Sequence, residues 1–270
     1  MPALGVPDGS GGHHCWIFDE PAEFHSQVRA FLSEGMRRNE RVLYVGEDCE
    51  ADLRAQMAAI GFDAAIDRGS AGVAVISQAY GGSAPLQAQV DAFVAAVAAA
   101  LGDGYAGLRV AADATSLAAL PAWNHYEHLV DRFMVGRPLT GLCGFDVRRL
   151  DAQTVAELEC LHPVTNTAAV GFRVTACSPA ADRLALSGEL DFTNHPLLVR
   201  ALRAADLQPA AGRVVIDMHG LRFADHRTIL LLRDYAAARG ATLTLLDPRP
   251  GARHIVEALG CAGIQIARSR

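Results

Sequence analysis

Short apolar runs and longer amphipathic stretches alternate along this chain. His13–Phe18 reads as a buried strand. The stretch 22–39 then sets Phe24, Val28, Phe31, Leu32 and Gly35 three and four apart, the spacing of one packed helix face. Asp19 is placed to cap that helix, with Pro21 in its first turn. Residues 41–46 (RVLYVG) are apolar throughout, as befits a parallel strand covered on both faces. A helix over 50–60 is predicted to stop at Gly61, where a left-handed residue closes the last turn. Strands are predicted at 73–77, 108–112 and 140–145, and helices at 86–101, 123–135 and 151–161. This alternation predicts a doubly wound, mostly parallel α/β sheet.

From Phe172 the character changes. Two strands, FRVTAC and LALSGELD, surround a turn at 178–182, and a helix is predicted from Thr193. A strand at 213–217, a polar turn and a second apolar piece at 221–225 lead into a helix running to Arg239. A strand at 242–246, a helix at 251–259 and a last strand at Ile264–Ala267 complete a smaller α/β domain. The small polar stretch 164–171 (VTNTAAVG) is the predicted boundary, dividing the chain into 13–166 and 170–268. Residues 1–12, rich in Gly and Pro, are expected to form a disordered tail.

Composition removes several classes of function. All 24 basic residues are Arg, so a P-loop lysine, a Schiff-base lysine and a lysine general base are all excluded. A formal charge of −6 and the lack of a basic stripe with interleaved aromatics argue against nucleic acid as a partner. No stretch reaches the roughly 18 apolar residues of a membrane span, and no signal peptide is visible, so a cytoplasmic location without membrane attachment is expected. The six Cys show no CxxC pairing, which fits reduced thiols better than disulfides or a zinc site. Neither a metal nor a cofactor is expected.

The segment 212–232, GRVVIDMHGLRFADHRTILLL, carries the strongest motif. It resembles the central motif of STAS domains, the module of anti-sigma factor antagonists, through Asp217, Gly220, Leu221, Phe223 and Asp225. In that family the Ser after the second Asp is phosphorylated by the anti-sigma kinase. Here His226 stands in that place and Arg227 in the next, so the resemblance implies the fold without the serine switch. Thr228 is the nearest hydroxyl, and Asp191 of SGELD joins Asp225, His226 and Thr228 as the candidate switch and partner surface. The acids could equally be structural, tying loops to backbone N–H groups. His226, at a helix N-terminus, reads as a fixed replacement for the switch and not as a phosphohistidine.

In the first part, FLSEGMRRNERVLYVGED resembles RecA/KaiC-class ATPase domains, in which a phosphate loop precedes such a helix. The corresponding 18–23 (FDEPAE) is acidic and lacks Gly and Lys, so it repels a triphosphate. A degenerate RecA-like domain opening on HHCWIFDE resembles the MEDS sensory domain of methanogen and methylotroph regulators. Tyr126-Glu127, the segment LCGFDVRR (142–149) and Leu161-His162-Pro163 extend that likeness, with Gly144 and Phe145 in place of the family's Gln and Tyr.

Seven residues become ligand-site candidates: His14, Asp113, Glu127, Cys143, Asp146, Arg148 and His162. Asp113 follows the strand that carries a metal-holding acid in active relatives; without a phosphate loop, a cap for the following turn is the simpler role. Asp146 and Arg148 could form a surface ion pair of little worth. Strand ends are where open α/β sheets gather ligands, so six of the seven, without Arg148, are expected to share one cleft. The resemblances together imply a non-enzymatic regulator. A sensory half, binding a small molecule or a partner, would control an interaction half that meets an anti-sigma factor or related protein, and homodimerisation is compatible. The alternatives are a nucleotide-binding or enzymatic RecA-like switch and a purely structural adaptor.

Overall fold

The computed structural model describes residues 12–79, 86–120 and 122–269, so the expected tail over 1–12 lies almost wholly outside the described residues. The chain divides into two compact units. One comprises the chain up to Trp123, Gly136–Val155 and Val164–Thr167; the other comprises Asn124–Val135, Ala156–Pro163 and Ala168 onward. Among the described residues no helix is long and apolar enough to cross a membrane.

The first unit opens with β1 (His13–Phe18), α1 (Pro21–Arg37), β2 (Glu40–Gly46), α2 (Glu50–Ala59) and α3 (Asp63–Asp67). It continues through β3 (Ala71–Val75), α4 (Ile76–Ala79), α5 (Leu86–Gly102), β4 (Gly107–Asp113), β5 (Leu139–Asp146) and β6 (Val164–Thr165). The sheet is six-stranded, in the order β3-β2-β4-β5-β1-β6, and every pairing is parallel. The predicted face of α1 is the buried one: Phe24, Val28, Phe31, Leu32 and Gly35 all lie inside. Phe24, Val28, Phe31 and Leu32 join Leu53 and Met57 of α2 and Val42 and Tyr44 of β2 in one apolar core. The end of α2 follows the expected chemistry: Gly61 takes φ +94, Phe62 N–H donates to the Met57 carbonyl and Gly61 N–H to that of Ala58.

Two expectations are corrected here. Asp19 does not cap α1; the cap position is Glu20, without a side-chain bond, because Pro21 takes the first helical position. Within the predicted boundary stretch 164–171, Val164 and Thr165 pair with His14 and Cys15 as the sixth strand. The sequence 73–77 is split as well, with Ile76 starting a short helix after β3.

The second unit contains most of α6 (Trp123–Met134) and the end of α7 (Ala152–Leu161). Then come β7 (Phe172–Thr175), β8 (Arg183–Leu190), α8 (His195–Ala205), β9 (Arg213–Asp217), β10 (Leu221–Ala224), α9 (His226–Ala237), β11 (Thr242–Leu246), α10 (Pro250–Leu259) and β12 (Ile264–Ala267). The sheet runs β10-β8-β9-β11-β12, parallel throughout, and β7 adds antiparallel to β8. Its core takes Leu198 and Leu202 from α8, Ile229 and Leu232 from α9, and also Cys160 and Leu161 from α7.

Candidate functional site

In the first sheet β2, β4, β5 and β1 are neighbours and parallel, so their carboxyl ends share one edge, where ligand crevices form in open α/β sheets. Asp113 ends β4, and its Oδ1 accepts the Thr115 N–H at 3.2 Å and the Thr115 hydroxyl at 2.7 Å. That hydroxyl oxygen in turn accepts the Asp146 N–H at 3.0 Å, linking the ends of β4 and β5. Asp146 receives Arg148 three times: backbone N–H at 2.9 Å, Nε at 2.9 Å and Nη2 at 2.6 Å. Glu47, just past β2, accepts the Ser116 N–H and the Arg149 guanidinium, each at 3.1 Å.

The electrostatics separate the two aspartates. Burial raises the Asp113 carboxyl, and Glu47 adds to this against the opposing Thr115 bonds. The Arg148 guanidinium holds Asp146 below the usual carboxylate range. Asp146 is buried while Arg148 is exposed, so the pair is more than a surface contact at its acidic end. Beside it, the Phe18 and Phe24 rings stack at 4.6 Å, and a Cβ on Gly144 would fall 2.2 Å from the Phe24 ring. The start of α1 is therefore aromatic and acidic, with the β-carbon of residue 144 given up to the ring.

His14 and Cys143 do not share a face. In parallel register His14 opposes Leu142 and Cys15 opposes Cys143, so alternation puts His14 and Cys143 on opposite sides of the sheet. His14 is buried edge-on to Phe31 at 5.9 Å. The histidine that does meet Cys143 is His13, with Nε2 3.5 Å from Sγ. The sequence reading missed His13, although position i and i+2 alternation from Cys15 marks it.

Glu127 and His162 belong to the second unit and meet there, Nε2 to Oε2 at 3.4 Å, both fully buried. His162 Nδ1 lies 2.7 Å from the Leu158 carbonyl, and Asp131, one turn along α6 from Glu127, accepts the Ala176 N–H at 2.6 Å. Burial pulls the His162 imidazole down, but the Glu127 carboxylate outweighs it and the net shift is upward. Burial pushes Asp131 up to about 7. Asp131 was not among the candidates; its helical spacing from Glu127 is the signal that could have found it.

The STAS-like motif is built around α9. Asp225 is its N-cap and accepts the Thr228 N–H at 2.7 Å and hydroxyl at 2.9 Å. His195 Nε2 stands 3.2 Å from Asp225 Oδ1 and 3.0 Å from the Thr228 hydroxyl. Both contacts use the same ring nitrogen, so this is no Ser/Thr-His-Asp relay. Burial pushes the Asp225 carboxyl up, and the Thr228 and His195 contacts outweigh it and lower it. Thr228 is fully buried, which removes it from the candidate surface and as an accessible phospho-acceptor. His226 is exposed at the first position of α9. Asp191 accepts the Thr193 N–H at 2.9 Å and hydroxyl at 2.6 Å, a turn that delays α8 to His195. Phe192 (71% exposed) and Phe223 (52%) stand on the adjoining loop and strand, two large apolar side chains that periodicity did not mark as surface.

Comparison with known families follows the same division. A family model described as MEDS, the methanogen/methylotroph, DcmR sensory domain, matches residues 12–163. A second, described as Mlab, STAS domain, matches residues 174–266. Neither a curated protein nor a solved structure is matched.

Proposed function

We infer the function from one premise: the chain belongs to the MEDS family of sensory domains and carries a STAS domain behind it. Both are sensory or regulatory families. The chain is proposed to be a cytoplasmic signalling regulator in which a sensory segment, 13–166, governs an interaction segment, 170–268. The sensory segment would bind a small molecule or a protein at the carboxyl edge of its sheet, where Asp113, Asp146 and Arg148 gather. The interaction segment would meet an anti-sigma factor or a related regulatory protein through the surface around Asp191, Asp225 and His226, extended by Phe192 and Phe223. A homodimer is compatible with this scheme, and catalysis is not required.

The observation that carries the reading is the cap of α9: Asp225 is retained, an exposed His226 follows it, and the nearest hydroxyl, Thr228, is buried. A phosphoserine there would add about −1.5 to −2 charges; histidine accepts none from a serine kinase. Partner binding is therefore independent of phosphorylation, and control falls to the sensory segment. The test is intact mass after incubation with an anti-sigma kinase and ATP. Wild type stays unmodified, and His226→Ser gains one phosphate and loses the partner. A phosphate on His226 or Thr228 of wild type that releases the partner would overturn the reading. The acidic 18–23 loop supports a second expectation, that added ATP and magnesium leave the melting temperature unchanged; a shift abolished by Asp113→Ala would refute it.

A further inference from the structure

Two cysteines face each other across neighbouring strands of the first unit. β1 and β5 run parallel, and in their register Cys15 stands directly opposite Cys143, so both side chains leave the sheet on one face. Neighbouring strands lie about 4.8 Å apart, inside the span of roughly 4.4–6.8 Å between α-carbons that a disulfide accepts. His13, two residues before Cys15, shares that face, and its own register partner is Gly141. The imidazole reaches Cys143, with Nε2 3.5 Å from Sγ.

Exposure divides the two thiols. Cys143 is partly exposed and Cys15 is buried, the order of a thiol that meets a reagent and a second that resolves the product. Other cysteines are held protonated. Burial pushes the Cys160 thiol up to about 12 and the Cys177 thiol up to about 11. The exposed Cys49 donates its thiol proton to the Asp52 carboxylate at 3.0 Å, a bond that favours the thiol over the thiolate.

We propose that Cys143 and Cys15 form a peroxide-reactive dithiol, with His13 as the base that activates Cys143. The Cys143 thiol gives its proton to His13 Nε2, and the thiolate attacks hydrogen peroxide. An S–O bond forms, the O–O bond breaks, and the departing hydroxide leaves as water with the proton from the imidazolium. The Cys15 sulfur then attacks Cys143 Sγ. An S–S bond forms, the S–OH bond breaks, and the second hydroxide leaves as water with the Cys15 proton. Two thiols are oxidised by two electrons, and one peroxide is reduced to two waters. Aligned strand positions hold their β-carbons farther apart than the mean of about 3.8 Å in disulfides, so the product is strained and readily reduced again. This chemistry goes beyond the sensory reading above and stands or falls without it.

The test uses the full chain, reduced, freed of reductant and treated with stoichiometric hydrogen peroxide at low protein concentration. Remaining thiols are capped with N-ethylmaleimide, and peptides are mapped by mass. A Cys15–Cys143 cross-linked peptide is expected, lost again on treatment with dithiothreitol. Cys15→Ala should stop at a Cys143 sulfenic acid that dimedone traps. His13→Gln should slow formation of the cross-link by roughly tenfold or more. Cys261, partly exposed with Arg233 Nη1 at 3.3 Å, is the internal comparison and should not enter the cross-link. The wild-type map needs no variant to fold. Oxidation that leaves Cys15 and Cys143 capped, or that joins Cys143 to another cysteine, would overturn the pair. An unchanged rate in His13→Gln would overturn the role of the base.

Discussion

Burial raises the Asp131 carboxyl to about 7, while the same carboxyl accepts the Ala176 N–H at 2.6 Å. An unfolded aspartate ionises near 3.8, so over the interval between, the folded state holds an extra proton and stability falls as pH rises. His162 acts in the same direction, since an imidazole raised above its ordinary value stabilises the fold below that value and loses the contribution as pH climbs through the raised one. Melting temperature should therefore drop between about pH 4 and pH 7, by an amount reflecting about 1 kcal/mol per pH unit at its steepest. Asp131→Asn keeps the acceptor and flattens the profile; an unchanged slope in that variant would refute the assignment. At the α9 cap, Asp225→Ala should cost about 1 kcal/mol, with Asp225→Asn recovering most of it, as read by urea denaturation. Residues of this kind were partly legible. Asp225 and Asp191 declare themselves by standing just before a helix or turn with a hydroxyl close behind. Asp131 and His13 do not, because a buried polar group is identified by the partner that folding brings to it, and that partner is distant in sequence.

Elements were legible where period and turn chemistry agreed, as along α1 and at Gly61. They slipped where a local competitor decided the outcome: Pro21 displaced the expected cap, and the Asp191–Thr193 turn took residues assigned to α8. The two-residue β6 has too few positions for any period to show; only its pairing with His14 and Cys15 defines it. The β5–α1 contact offers a test of packing between elements. Gly144 reads as a departure from the MEDS pattern, and the Phe24 ring lying over it supplies the reason. Gly144→Ala should destabilise by about 1–3 kcal/mol through overpacking. Phe24→Leu gives up part of the ring's burial, so the double variant should cost less than the sum of the singles. Additive costs in a double-mutant cycle would show that the ring and the glycine are not packed against each other.

For the whole molecule, the boundary by family likeness and the boundary by packing differ, and the difference has a measurable consequence. The MEDS match ends at 163, yet Cys160 and Leu161 are buried in the core of the second unit. Within that unit, polar bonds also tie the segments of α6 and α7 to the chain beyond residue 168. Arg200 meets Glu157 at 2.5 Å, the His125 ring meets the Ala204 carbonyl at 2.7 Å, and Glu159 accepts the Val170 N–H at 3.2 Å. Sequence reading could not show this, because the apolar face of a helix announces that it is buried without naming the sheet that buries it. A fragment of residues 168–270 leaves these groups behind. It loses one buried Leu, worth about 1.5–3 kcal/mol, and strips the Val170 and Ala176 N–H groups of their carboxylate acceptors. The fragment should therefore unfold in urea at least about 2 kcal/mol more easily than the same unit does in the intact chain. Hydrogen exchange at the β8 and β11 amides reports on that unit in both. Equal protection in fragment and intact chain would mean that 170–268 folds without help and that the division proposed from the sequence is also the division in folding.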